Sequence, residues 1–367
     1  PVLCVVMVQV YVGKLGVLPA TGRCIPAAAY QQVGIAVQED LSACTVLMGI
    51  KEVPKAQLVA NKTYFFFSHT IKEQPYNRGL LQEILKKNIK LVDYEVLTNE
   101  QGQRVIAFGR FAGIVGAHNG IMTYGKRTRT FVLDQMHQYD DYQAAIDYYQ
   151  TLELPAMKIV VTGTGRVAAG AVEVLDHMGI RRVEPTDFIQ QQYSEPVYTQ
   201  LDDQDYVAPK DAEQPFDIQH FYDNPKLYRS IFGPYTKVAD LMINGIYWDN
   251  DAPAFFSTSD MQQTDFSIQV IADVTCDIAP VASIQSTLYA TTIADPVFGY
   301  NPATQKAEAP YQPHTIDMMT IDNLPNELPK DASKSFGTQF RKHVLDELLG
   351  SKDTVMIERA SVAQNVA

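Results

Sequence analysis

Nowhere in the 367 residues is there an apolar run of about 18, the length a membrane-spanning helix needs, so no membrane partner is expected. Cysteine is scarce. Cys4, Cys24, Cys44 and Cys276 stand far apart, with none of the short spacings that hold zinc or iron–sulfur clusters. That pattern predicts no metal site and reduced, partly buried thiols, as in a cytoplasmic enzyme. Positive charge is short as well: 30 Lys and Arg stand against 42 Asp and Glu, a net of −12, which disfavours nucleic acid and anionic membranes as partners. An anionic ligand then needs local help, from backbone N–H groups or a few placed cations. Repeats and low-complexity tracts are missing too. Pro1–Val12 is apolar and β-branched and has neither the charged start nor the small-residue cleavage site of a signal peptide, so it reads as a buried strand.

What remains is a globular α/β pattern. An apolar share of 46% suffices for real cores, and the length suggests about two domains. Thr45–Ile50 and Thr63–Phe67 read as buried strands, Arg78–Lys87 as a helix with Leu80, Leu81, Ile84 and Leu85 on one face, and Ile89–Tyr94 as the next strand. Strand, helix, strand in that order predicts a parallel sheet. The glycine-rich Gly109–Gly116 suggests close packing. Thr130–Leu152 reads as a long helix joining two domains and ending before Pro155. Met157–Thr162 is a clear buried strand, followed by a helix over Val167–Met178 that Gly179 closes, and Ile180–Val183 is a second strand. Residues 185–236, acidic and rich in Tyr, Gln and Pro, read as an irregular insertion with short helices. Regular strands return at Ala239–Asn244 and Gln269–Val274, and Ala332–Leu349 is a strong amphipathic helix able to pack back on the first domain. The expected division is a substrate domain over 1–127, completed by 317–367, and a dinucleotide-binding Rossmann domain over 128–316.

The sharpest local signal is Gly163-x-Gly165-x-x-Ala168-x-Gly170 between a strand and a helix. The first glycine makes the tight turn, the second lets backbone approach a pyrophosphate, and the small residues let helix pack on strand. The helix start, with Arg166 and Val167, offers free N–H groups and a positive dipole end to the phosphates. In this context the motif predicts NAD or NADP. An acidic residue about 20 positions on is expected at the ribose, and Glu184 fills that place, with Asp187 just beyond it. Arg181 and Arg182 are close enough to favour a 2′-phosphate, so the choice between NAD and NADP stays open. Asn244-Gly245 follows another predicted strand and is expected to touch the cofactor.

A second constellation lies earlier. Lys51-Glu52 follows one strand, Ser68-His69 the next, with Lys72 and Gln74 beyond, and Asp93-Tyr94-Glu95 ends the third, with Arg104 shortly after. Successive strands thus deliver Lys, His, Arg and acidic groups to one sheet edge. Lys and His together suit proton traffic on amines and imines. Taken singly, each has a blander reading: His69 as a hydrogen-bonded structural histidine, Lys51 as a surface charge, Asp277 as a loop carboxylate capping a helix. The remaining histidines, His118, His137, His177, His220, His314 and His343, show no metal-type pairing.

These motifs resemble a known family. Lys51-Glu52, Ser68-His69-Thr70-Ile71-Lys72-x-Gln74, Asp93-Tyr94-Glu95 and Gln101-Gly102-x-Arg104-Val105-x-Ala107-Phe108-Gly109 are similar to the lysine-forming saccharopine dehydrogenases and the lysine–2-oxoglutarate reductase domain, which sit with alanine dehydrogenase and transhydrogenase in one superfamily. Val160–Gly165 matches the reductase type, and the likeness runs from about Lys51 to Leu349. The resemblance implies an α/β fold of two Rossmann-like domains with parallel sheets and a cofactor cleft between them. It implies that Lys51 and His69 are the acid–base pair, and that Arg104 binds a substrate carboxylate. Glu95 then tunes the lysine, Glu52, Lys72 and Gln74 lie on the substrate, and Asp277 sits near the nicotinamide. The family's N-terminal Arg ahead of a Thr-Pro helix start has no counterpart in Pro1–Gly22, and the saccharopine-cleaving half of the fused animal and plant enzymes is lacking.

The expected function is therefore an NAD(P)-dependent amino-acid dehydrogenase of the saccharopine type. Its partners would be small amino-acid and 2-oxo-acid substrates, with room for a homo-oligomer. Alanine dehydrogenase, or another amino-acid dehydrogenase of the same frame, is the runner-up. A non-catalytic NAD(P)-binding regulator is the alternative of another class.

Overall fold

A computed structural model describes residues 16–19, 23–40, 42–72, 77–350 and 355–363. The strand expected over Pro1–Val12 lies outside them. The chain divides into two compact units, Pro1–Ala107 with Pro329–Ala367, and Phe108–Leu328. The divisions fall at 107/108 and 328/329 rather than at 127/128 and 316/317.

The described part of the first unit begins with a small parallel pair, β1 (Gly16–Val17) and β2 (Ala36–Val37), with α1 (Ala27–Gln32) between them. Then come β3 (Val46–Lys51), β4 (Thr63–Phe67), α2 (Arg78–Lys86) and β5 (Lys90–Asp93). These three strands pair in parallel, as the strand–helix–strand pattern predicts. Helix α2 buries Leu80 and Ile84, four residues apart on one face, against Leu47, Tyr64 and Leu91 of the sheet.

The second unit opens with α3 (Gly109–Thr128) and α4 (Tyr142–Tyr149), then β6 (Lys158–Thr162), α5 (Arg166–His177), β7 (Arg181–Arg182), α6 (Pro185–Gln190), β8 (Val197–Leu201) and α7 (Asp203–Tyr206). It continues through β9 (Val207–Pro209), α8 (Ile218–Asp223), β10 (Tyr228–Ser230), α9 (Gly233–Thr236), β11 (Leu241–Asn244), β12 (Val270–Asp273), β13 (Val297–Asn301), β14 (Lys306–Glu308) and β15 (Ile316–Met319). Its main sheet has eight strands in the order β14-β13-β15-β12-β11-β6-β8-β7. The run from β15 to β7 is parallel, and the hairpin β13–β14 extends it antiparallel. Strand β15 belongs to this sheet, which is why the unit runs on past 316.

Two expectations are corrected here. The long helix is Gly109–Thr128, whereas Thr130–Leu152 holds only a short 3-10 turn and α4. Helix α3 is buried on every side from Gly113 to Gly125, so it lacks the polar stripe that marks an amphipathic helix. The supposed insertion over 185–236 contains β8, a buried strand paired on both sides.

The chain then returns to the first unit with α10 (Pro329–His343), α11 (Leu345–Leu348), α12 (Met356–Arg359) and β16 (Ser361–Ala363). Phe340 packs edge-on to Phe65, and Phe336 to Tyr94, so α10 covers the sheet as its amphipathic pattern predicts. Strand β16 pairs antiparallel with β5 and completes the order β16-β5-β4-β3. No helix among the described residues is long and apolar enough to cross a membrane.

Candidate functional site

In the first unit the polar residues gather at the C-terminal ends of β3, β4 and β5. Lys51 ends β3 and registers with Phe67 of β4, and Phe66 registers with Asp93 of β5. Asp93 is fully buried and clasps two loops at once. It accepts from the Ser68 backbone N–H at 3.1 Å and from the Ser68 hydroxyl on one oxygen, and from the Glu95 N–H at 2.7 Å on the other. The residue after the first loop's serine, His69, takes a left-handed backbone (φ 54°), and the Asn77 amide donates to its carbonyl at 3.1 Å. His69 Nδ1 then lies 3.2 Å from Glu95 Oε2, while Arg104 Nη1 lies 3.8 Å from Glu95 Oε1. Glu95 thus bridges an imidazole and a guanidinium. With Nδ1 donating to that carboxylate, Nε2 is the nitrogen left to take or give a proton.

Helix α10 sets this arrangement from beneath. Tyr94, buried against Phe67 (5.2 Å between centroids) and Phe336 (5.1 Å), anchors the turn carrying Glu95. Burial pushes its phenol well above the ordinary range, so it stays neutral. Gln339 of α10 grips Ala107 through both its N–H (2.9 Å) and its carbonyl (3.3 Å), which fixes the segment after Arg104. Lys51 and Glu52 are exposed, and neither forms an ion pair with another described residue. Lys72 closes the short turn Thr70–Lys72, and Gln74 lies outside the described residues. Asp93 was expected at this sheet edge, but not as the carboxylate that organises it. Its place directly at the end of a buried strand was the available signal.

In the second unit, Gly163 has φ +94°, and a Cβ there would meet the Gly245 carbonyl at 3.0 Å. The turn is therefore both left-handed and pressed against the loop after β11. Helix α5 follows with Gly165 as N-cap and no side-chain cap hydrogen bond, so its positive dipole end opens at the turn. Thr164, Gly165 and Arg166 are exposed at this end. Beside the turn is a cavity of about 480 Å³ lined by Gly163–Gly165, Asp203, Tyr206, Phe221, Tyr222 and the segment Gly245–Asp249.

Asp203 stands at the end of β8, the strand next to β6. Its carboxylate accepts from the Tyr206 hydroxyl at 2.6 Å and the Tyr222 hydroxyl at 3.2 Å. Burial, then the contact with Asp203, raises both phenols, so both remain donors. Glu184, expected at the ribose, ends β7 instead, beyond β8 at the sheet's edge, and does not line the cavity. The physical reason is the order of the sheet, in which the strand after β6 in sequence is not its neighbour in space. Arg181 is bound to Glu195 at 2.8 Å. Asn244 is fully buried: it accepts from Thr162 Oγ1 at 2.8 Å and donates to Asp273 and Ser283, each at 2.9 Å. Its amide is thus committed within the sheet, and it is Gly245 that lines the cavity. Asp277 is half-buried after Cys276, outside this cavity. Burial and then Asp273 push the Cys276 thiol up to about 12, so it is not a nucleophile at neutral pH. Among the described residues, no group of three or more His, Cys, Asp or Glu is arranged to hold a metal ion.

An open, mostly parallel sheet with a glycine turn at its central strand defines the dinucleotide-binding α/β class. Residues 10–115 match the family described as alanine dehydrogenase/PNT, N-terminal domain. The chain is 30% identical to the mitochondrial alpha-aminoadipic semialdehyde synthase of Mus musculus, over 92% of this chain and 40% of the relative. It is 29% identical to the synthase of Arabidopsis thaliana, over 89% and 34%. It is 25% identical to the saccharopine dehydrogenase [NAD(+), L-lysine-forming] of Candida glabrata, over 79% and 70%. The chain thus spans well under half the length of the animal and plant relatives it matches. An L-alanine dehydrogenase shares the fold with a TM-score of 0.55 at 14% identity, covering 93% of this chain and 83% of that one. The chain is thus similar over residues 10–115 to the alanine dehydrogenase/PNT N-terminal domain, and over most of its length to alpha-aminoadipic semialdehyde synthases and lysine-forming saccharopine dehydrogenases.

Proposed function

We propose that the chain is an NAD-dependent amino-acid dehydrogenase that oxidises the secondary amine of saccharopine, with NAD and water, to lysine, 2-oxoglutarate, NADH and a proton. The observation that carries this reading is the bridge of Glu95 between His69 and Arg104 at the strand ends that also carry Lys51. A proton-transfer group, a carboxylate and a guanidinium suit a substrate that has an amine beside a carboxylate. The names of the fungal relatives support the substrate class. When bound, the nicotinamide supplies the hydride acceptor. Lys51 and His69 take the proton of the water that adds to the imine and return one to the departing amine of lysine. Arg104 holds a carboxylate through its planar fork. Glu95 keeps the His69 ring oriented. Glu52, Lys72 and Gln74 belong to the substrate's surroundings by resemblance, and Asp277 to the nicotinamide's.

The residues for the dinucleotide are Gly163, Gly165, Arg166 and Val167 at the pyrophosphate, with Gly245 packed against the turn. Asp203 replaces Glu184 as the ribose carboxylate in this reading. With Asp202 and Asp205 beside it and Arg181 bound to Glu195, the ribose end repels a 2′-phosphate, which favours NAD over NADP. The free thiols of Cys24, Cys44 and Cys276 agree with a reducing compartment such as the cytoplasm.

The deciding experiment follows NADH and NADPH formation with saccharopine and, separately, with alanine. Turnover of saccharopine with NAD is expected. No turnover of it with either cofactor sinks the reading, and turnover of alanine alone moves it to the alanine dehydrogenase side that the fold likeness also permits. Lys51→Met is expected to lower kcat by roughly 10² to 10⁴.

A further inference from the structure

The ends of three neighbouring strands, β6, β11 and β12, are tied together through one carboxylate. Asp273, the last residue of β12, is fully buried. Its Oδ1 accepts from the Asn244 amide at 2.9 Å and from the Thr275 hydroxyl at 2.6 Å, and its Oδ2 accepts from the Thr287 hydroxyl at 2.6 Å. Asn244 carries the tie onward, accepting from Thr162 Oγ1 at 2.8 Å and donating to Ser283 Oγ at 2.9 Å. Thr162 stands directly before the glycine turn, and Asn244 directly before Gly245. Thr275 and Thr287 stand near the two ends of the loop that follows β12, and Asp277 lies between them. The Ala279 N–H donates to the Thr287 carbonyl at 2.9 Å and draws the same loop together. A buried carboxylate adds little to stability over apolar packing, and it is tolerated only when its hydrogen bonds are made. What such a set gives in return is one defined arrangement of the groups that hold it. This loop needs that help. Among the described residues, 274–287 carry no helix and one isolated bridge, Ile284 to Phe256, and Cys276 takes a left-handed backbone at φ 55°.

We infer that Asp273 is a positioning residue of the dinucleotide site, holding the 274–287 loop so that Asp277 is set at the nicotinamide. The inference rests on the reading of the second unit as a dinucleotide site with Asp277 beside the nicotinamide, and it deepens that reading. In an open α/β sheet the ligand lies outside the carboxyl ends of the strands. Asp273 occupies such an end, yet its oxygens are taken up by two hydroxyls and an amide of the protein. It therefore acts through the loop and not by touching the ligand. Asp273→Asn keeps the volume but exchanges an acceptor oxygen for a donor. The new N–H₂ then faces the Asn244 amide or a threonine hydroxyl that was itself donating, and one clasp opens.

Two ligands that differ by the nicotinamide separate this role from a merely structural one. By calorimetry on the 367-residue chain, Asp273→Asn is expected to weaken NADH roughly tenfold while ADP-ribose, which lacks the nicotinamide, stays within about twofold. In an Asp277→Ala background the same change is expected to cost NADH less than about twofold, since a residue that works through Asp277 loses its effect when Asp277 is gone. Equal losses for the two ligands, no loss for either, or a full NADH penalty that persists without Asp277 overturns the inference and leaves the dinucleotide reading standing. If Asp273→Asn does not fold, Thr287→Val and Thr287→Ser take its place. Valine deletes one clasp and is expected to weaken NADH but not ADP-ribose, and serine, which keeps the hydroxyl, to restore most of that loss. A serine variant as impaired as the valine one overturns the inference too. If the unaltered chain binds neither NADH nor ADP-ribose, the dinucleotide reading itself fails and takes the inference with it.

Discussion

His118 lies wholly buried in α3, with Nδ1 2.7 Å from the Tyr149 hydroxyl and Nε2 2.8 Å from the Asp134 carbonyl. A neutral imidazole serves both contacts, with Nε2–H donating to the carbonyl and Nδ1 accepting from the tyrosine. Burial accordingly pushes its pKa from 6.5 down to about 4, the Asp134 contact opposing. Between those values the unfolded chain binds a proton that the folded one refuses, so stability is full above the unfolded value and is lost as pH falls toward the folded one. The loss amounts to about 3 kcal/mol by pH 4. Urea midpoints measured from pH 7 to pH 4.5 should fall accordingly, and His118→Gln should flatten that fall while lowering the midpoint at pH 7. A second residue tests the proposed cofactor choice. Asp203→Ser is expected to weaken NAD binding about tenfold, the loss of charge-assisted hydrogen bonds, and to narrow the preference over NADP. Calorimetry with both dinucleotides checks this, and an unchanged ratio would refute the assignment of Asp203.

At the scale of elements, α3 and α5 cross with almost no side chain between them. A Cβ on Gly113 would overlap the Val167 carbonyl, and one on Gly170 the Arg110 carbonyl. Arg110 and Glu173 clamp the crossing from outside through two hydrogen bonds, at 2.8 and 2.6 Å. Gly170→Val should force the helices apart and cost about 3 kcal/mol, read as a drop in Tm, and should also weaken nucleotide binding because α5 carries the glycine turn. Much of this architecture was legible in the residues. Strands β3 to β6, helix α5 and the turn between them announce themselves through β-branched runs and glycine spacing. What stayed hidden has a common cause. Helix α3 packs on all sides, so its hydrophobicity has no period to detect. Strand β8 sits among Tyr, Gln and Asp and alternates poorly. A chain read in order also takes the next strand along as the neighbour of β6, whereas the sheet places β8 there. The polar set around His69 was legible as residue types at strand ends. The clasp by Asp93 and the grip of Gln339 on Ala107 were not, because each joins positions far apart in sequence.

For the whole molecule, the two units differ in how the chain supplies them. Residues 108–328 are continuous, and all eight strands of their sheet come from within that stretch. The first unit is assembled from both sides of it. A fragment of 108–328 is therefore expected to fold and to bind ADP-ribose nearly as well as the full chain, by circular dichroism and calorimetry. Residues 1–107 alone should not reach their native spectrum until 329–367 is added. A fragment of 108–328 that is unfolded would refute this division of labour.

The pairing of β16 with β5 carries that asymmetry into the cell. Polypeptides emerge from the ribosome N-terminus first at about 5–20 residues per second. The sheet bearing His69 and Glu95 thus waits, on the order of ten seconds or more at that pace, while the whole dinucleotide unit is made, before α10 and β16 arrive to cover it. During that interval β5 presents an unpaired edge and Phe65, Phe67 and Tyr94 an uncovered aromatic face. The nascent chain therefore carries an aggregation hazard, and a need of a chaperone, in the unit whose sheet is begun before the dinucleotide unit and finished after it.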